Sequence, residues 1–168
     1  CDSTLRVTTG ENPIPSDGEP VCDGDGETVF YGFENDHTYI DCGMCLLVQC
    51  PDHSFFVVDS GHYFQFNDND RIHRFMRERT PKEEKIVVNG WLITHAHSDH
   101  ISKLMDFLRY NCDDVVIEGF YGNLIDPKYD VDGDWDIEEI LLSEKLFRQL
   151  DGIDVPKYKL HSGMHFTV

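Results

Sequence analysis

Apolar positions along this chain fall into two alternating kinds of pattern. Short runs rich in β-branched and aromatic residues, bounded by turn formers, occur at Val29-Phe30-Tyr31, Cys45-Leu46-Leu47-Val48, Phe55-Phe56-Val57-Val58, Ile86-Val87-Val88, Trp91-Leu92-Ile93 and Val115-Val116-Ile117. Each is predicted to be a strand. Between and after them, apolar residues recur at helical spacing: Ile72, Phe75 and Met76, then Ile101, Leu104, Met105 and Leu108, then Ile137, Ile140, Leu141, Phe147 and Leu150. Strands followed by amphipathic helices and further strands predict an α/β layer.

Punctuation residues refine this outline. Pro51-Asp52-His53 lies between two strand runs and predicts a hairpin, and Asn89-Gly90 marks a kink or tight turn between two short strands. Asp68-Asn69-Asp70 caps the first helix and Pro81 ends it, whereas Gly152 takes the C′ position of the last. His73, beside Arg71 and Arg74, reads as a solvated helix residue. The segment 120–124 reads as a loop at a strand end, where Tyr121 and Asn123 either contact substrate or simply pack. The acidic stretch 130–136 lacks the ligand spacing of a calcium loop and reads as a helix-capping turn. Residues 156–160 and 165–168 are two further strand-like runs.

At 168 residues the chain suits one domain of ordinary size. Residues 10–28, with Pro13, Pro15, Pro20 and several Gly and Asp, have no periodicity, so residues 1–28 form an arm or tether and 29–168 the folded body. Fourteen Lys and Arg against 32 Asp and Glu give a formal charge of −18, which disfavours nucleic acid and anionic membranes as partners. No apolar run approaches the ~20 residues of a transmembrane helix. Cys1 matches the first residue of a mature lipidated protein at a cell surface, and a fragment boundary of a cytoplasmic protein explains it equally. Among six cysteines, Cys42-Gly43-Met44-Cys45 has CxxC spacing without a second pair, and Cys45 reads as a small buried residue.

Candidate chemistry is concentrated in one decapeptide, Trp91-Leu92-Ile93-Thr94-His95-Ala96-His97-Ser98-Asp99-His100. A buried strand ends there in three histidines and an aspartate within six positions. Imidazole and carboxylate are the donors that Zn²⁺ takes at about 2.0–2.2 Å, and iron and manganese accept the same set. His62, close behind Gly61, reads as a rim residue.

The run His95-x-His97-x-Asp99-His100 resembles the motif of the metallo-β-lactamase-fold hydrolases, and Val58-Asp59-Ser60-Gly61 resembles the same family's strand-Asp-x-Gly element. Asp41-Cys42-Gly43 is similar to the opening of its competence-protein, DNA-uptake branch. The resemblance implies an αββα sandwich of which this chain is the N-terminal half. It implies His95 and His97 as ligands of one metal ion, Asp99 and His100 as ligands of a second, and Asp59 behind them. It further implies hydrolysis of an ester, amide or phosphodiester by a metal-activated water that Asp99 orients. Where the family usually has glycines after Asp-His this chain has Ile101-Ser102-Lys103, which predicts a looser start to the helix. The family's later ligands are not matched here, so His161 and His165 are the remaining candidates, and the chain alone is expected to be inactive and prone to self-association. A noncatalytic regulatory module and an iron-binding redox protein are the alternative readings of the same scaffold.

Overall fold

The computed structural model describes residues 28–33, 43–62, 68–110, 113–124 and 137–164. The expectations for the N-terminal arm, for Asp41 and Cys42, for 130–136 and for His165 lie outside these residues. Strands β1 (Val29–Gly32), β2 (Cys45–Gln49), β3 (Phe55–Asp59), β4 (Ile86–Ile93), β5 (Val115–Ile117), β6 (Phe120–Gly122) and β7 (Lys157–Lys159) form a mixed sheet. Helices α1 (Asp68–Glu78), α2 (Ser98–Tyr110) and α3 (Ile137–Asp151) alternate with them, which makes the described residues an α/β fold.

The β1, β2 and β3 strands are antiparallel, and β3, β4, β6 and β7 run parallel. The β2–β3 hairpin closes through Cys50 to Ser54, where the Cys50 N–H donates to Ser54 O (2.8 Å) and His53 takes a positive φ of 68°. Both β5 and β6 pair with β4 in one continuous register, Ile86 opposite Val115 and Trp91 opposite Phe120. The segment read as a loop at 120–122 is therefore the second half of a strand interrupted at Glu118-Gly119. Tyr121 packs its ring between Phe56 and Tyr158, with centroids at 6.1 and 4.9 Å, which gives it a packing role.

Asn89-Gly90 does not separate two strands. The β4 strand runs through it, and the register against β3 slips by one residue there: Phe55 faces Val88 but Phe56 faces Gly90. A bulge of this kind shifts the side-chain phase. Ile86 and Val88 before it, and Trp91 and Ile93 after it, consequently all enter the same core. Gly90 is also required sterically, because a Cβ there would stand 2.6 Å from the Phe56 ring and 2.7 Å from the Tyr121 ring. Gly90→Ala is expected to cost about 1–3 kcal/mol through overpacking, read from the denaturant midpoint at unchanged m-value.

One face of the sheet is covered by the helices. The α1 helix packs on α2, and α2 on α3, so all three contribute to one cluster with Leu47, Phe55, Val57, Ile86, Val88 and Trp91. Ile72, Phe75 and Met76 are buried as their spacing predicts, and Phe107, outside the predicted stripe of α2, is fully buried beside Trp91 at 5.0 Å. Ile101, Ser102 and Lys103 are buried as well, so the start of α2 is close-packed despite having no glycine. The α3 helix departs most from its pattern: Ile137 and Leu141 are 74% and 57% exposed, whereas Leu146 and Leu150 carry the packing. Gly152 is not among the glycines with positive φ, so α3 ends without a left-handed cap.

His73 is half-buried and paired rather than free in solvent. Its Nε2 lies 2.7 Å from Asp114 Oδ1, and Arg77 Nη1 reaches Asp114 Oδ2 at 3.4 Å, which ties α1 to the turn before β5. Burial acts to raise the Asp114 carboxyl, but the hydrogen bond and charge of His73, with the hydrogen bond of Arg77, carry it below its usual range. A depressed carboxyl stabilises above its unfolded value, near ~3.9, and loses that contribution as pH falls through the folded value. Asp114→Asn is therefore expected to lower stability by about 0.5 kcal/mol at pH 7, discounted for partial exposure, with the difference fading below about pH 4. Urea titrations of both proteins across pH 3–7 check this.

Candidate metal centre

Parallel sheets open crevices beyond the carboxyl ends of their strands. Here β3 ends in Asp59 and β4 leads through Thr94–His97 into α2, so the motif stands at that edge. The strands fix their ends through specific bonds. Asp59 adopts a positive φ of 55°, a conformation that aspartate tolerates better than most residues, and Gly61 follows at 95°. In this conformation the Asp59 carbonyl accepts from Trp91 Nε1 at 3.0 Å. Ser60 Oγ then donates to His100 O and accepts from the Leu104 N–H, both at 2.8 Å, fastening the end of β3 to the first turns of α2. On the other side the Met44 N–H donates to Asp99 O at 3.2 Å.

The Asp59 carboxylate is buried and fully engaged. Its Oδ1 accepts from the Thr94 N–H (2.9 Å), and its Oδ2 accepts from Thr94 Oγ1 (2.7 Å) and lies 2.8 Å from His100 Nδ1. A carboxylate can only accept, so the proton of His100 sits on Nδ1 and leaves Nε2 bare. The Thr94 hydroxyl donates to Asp59 and can accept from His95 Nδ1 at 3.0 Å, which leaves Nε2 of His95 bare in the same way. One buried acid thus sets the tautomers of two histidines, the arrangement by which outer partners orient metal-binding imidazoles. Thr94 went unnoticed in the sequence, where a hydroxyl beside a histidine carries no distinguishing signal.

His95, Asp99 and His100 come together as a group whose donor atoms lie within 4.8 Å of one another. Two donors at ~2.1 Å from one tetrahedral ion stand ~3.4 Å apart, so the group has the dimensions of a three-residue metal site. Among the described residues no other group of three such side chains has this geometry. Burial, then the neighbouring imidazoles of His100 and His97, holds His95 below the ordinary histidine range, which favours the neutral form that binds metal. Asp99, in the first turn of α2, is also favourably placed against the helix dipole.

The fourth motif residue stands apart. The ring of His97 packs edge-on against His95 at 4.6 Å, but its Nε2 faces Glu139 Oε2 of α3 at 3.8 Å. The family resemblance pairs His95 with His97 and Asp99 with His100, and the members of each pair are neighbours here. Glu139 also escaped sequence reading, since its helix begins at Ile137, far beyond His100, and nothing in its spacing announces the contact. His62 is buried with Nε2 3.4 Å from Ser98 Oγ, at the start of α2 and at the margin of the cluster. His161 is exposed on the turn after β7, its Nδ1 3.5 Å from Ser162 O.

No family model matches the sequence, and no curated protein does. Among solved structures, a Thermotoga maritima chain described as a "putative metallo-beta-lactamase" is similar at 12% identity and a TM-score of 0.41, over 83% of this chain. The present chain spans 61% of that chain's length. No helix among the described residues is long and apolar enough to cross a membrane.

Proposed function

We propose that this chain carries the metal centre of a metallo-β-lactamase-like hydrolase acting on an ester, amide or phosphodiester. The observation that supports this best is the His95, Asp99 and His100 cluster with buried Asp59 behind it, because it brings three metal-type donors within 4.8 Å of one another at a strand end. Three protein ligands with an open position are what a catalytic zinc site needs, whereas a structural site is closed by four. A bound Zn²⁺ would supply a water acidified toward neutral pH and would polarise the bond attacked.

The chain's own part is to hold and orient. His95 and His100 present bare Nε2 atoms whose direction is locked by Thr94 and Asp59. Asp99, with Oδ2 3.5 Å from His100 Nε2, contributes a carboxylate oxygen to the group and keeps a second oxygen to orient the attacking water and accept its proton. His97, the remaining motif histidine, stands outside this three-residue group and would serve a second ion beside it. Zinc is the metal this donor set suits best, in one or two ions, with iron and manganese next. The test is zinc-dependent turnover of generic ester and phosphodiester substrates by the full-length protein, compared between the parent and Asp99→Asn. Zinc uptake without turnover of either substrate class by the parent would leave a binding module and defeat the hydrolase reading.

A further inference from the structure

Resting on that reading of the metal centre, we propose that Glu139 of α3 is a metal ligand that shares an ion with His97. The separation of 3.8 Å between His97 Nε2 and Glu139 Oε2 is too long for a hydrogen bond. It is close to the ~3.4 Å expected of two donors around one tetrahedral ion. A carboxylate in the first turn of a helix is favoured by the dipole in any case, so the residue type alone points nowhere. The pairing is what points to a ligand. His97 is not one of the His95, Asp99 and His100 group, and Glu139, from a different helix, stands opposite its Nε2.

Both side chains are partly shielded, His97 at 44% and Glu139 at 21% exposure, so the pair is open enough to receive an ion and sheltered enough to hold one. The contact also supplies what the motif lacks. A loop of four ligand-type residues cannot by itself give two ions three protein ligands each, and a carboxylate from α3 narrows that deficit at His97, beside the ring of His95. Docking of α3 through Leu146 and Leu150 would then fix the distance between the carboxylate and the loop.

Cobalt(II) is the probe, since its visible absorption reports the ligands directly. Parent protein, His97→Ala and Glu139→Gln are titrated with Co²⁺ and their spectra and affinities compared, and each metal-free protein is melted in parallel. The expected result is that Glu139→Gln weakens, by at least about tenfold, the same cobalt equivalent that His97→Ala weakens, changes its spectrum, and leaves the metal-free melting temperature unmoved. Unchanged titration of Glu139→Gln beside a parent that binds cobalt overturns the proposal while sparing the metal centre. So does a lowered metal-free melting temperature with unchanged cobalt affinity, which would make the contact an ion pair that docks α3. A parent that takes up no cobalt overturns both.

Discussion

Alanine at His95, Asp99 or His100 is expected to lower zinc affinity by more than the ~100-fold that loss of an outer partner typically causes, because each change removes a donor from a three-residue group. His97→Ala is expected to weaken binding too, but to leave that group's cobalt(II) spectrum in place. The variants should fold. Asp99 and the histidines are partly exposed at a loop and a helix start, while the core beneath them is carried by Trp91, Ile93, Ile101 and Leu104. His73→Ala is the matched control: it loses a partly exposed histidine contact to Asp114 on another part of the fold and should retain parental metal content. Metal per chain after dialysis, measured by mass spectrometry, separates these outcomes, and unchanged stoichiometry in every motif variant would contradict the site.

Asp59→Asn is expected to weaken zinc binding by about 10- to 100-fold while the protein stays folded. The substitution keeps size and tolerates the same positive φ. It also keeps the acceptor for the Thr94 N–H, so its amide nitrogen takes the place of Oδ2. There it meets His100 Nδ1 as a donor where an acceptor stood. His100 must then carry its proton on Nε2, the nitrogen that faces Asp99, and can no longer offer it to a metal. Nitrogen-15 chemical shifts of the imidazoles in the metal-free protein report the tautomer directly. A switch at His100 together with weaker binding is expected. Lost folding with parental affinity in the remaining folded fraction would make Asp59 a structural residue instead.

The strands and helices were legible wherever one face is buried, because burial imposes a period on the sequence. The β2–β3 hairpin, α1 and α2 follow from it directly. The signal failed where the period breaks for a reason that lies outside the segment. Gly90 looked like a turn residue, yet it marks a bulge and a close approach of two rings from other strands. The apolar residues Ile137 and Leu141 at the start of α3 matched a helical stripe but are exposed, and Leu142, Leu146 and Leu150 make the core contacts. His73 had charged neighbours in sequence and an aspartate 41 positions away in space.

The centre divides in the same way. Ligand-type residues clustered within six positions are visible in one dimension, and so is the acid that ends the preceding strand. Which imidazole nitrogen faces where depends on Thr94 and on the fold of β3 against β4, and the side chain opposite His97 comes from a helix beginning 40 residues later. Spacing names the donors; packing decides how they are grouped.

The most direct measurement is equilibrium dialysis of the metal-free chain against buffered Zn²⁺, beside His95→Ala and Asp59→Asn. The expected result is at least one zinc retained per parent chain, lost in His95→Ala and held more weakly in Asp59→Asn, with affinity falling as pH drops through the histidine range. A parent chain that retains no zinc at micromolar free metal while folded, or a His95→Ala variant that retains as much as the parent, would contradict the metal centre.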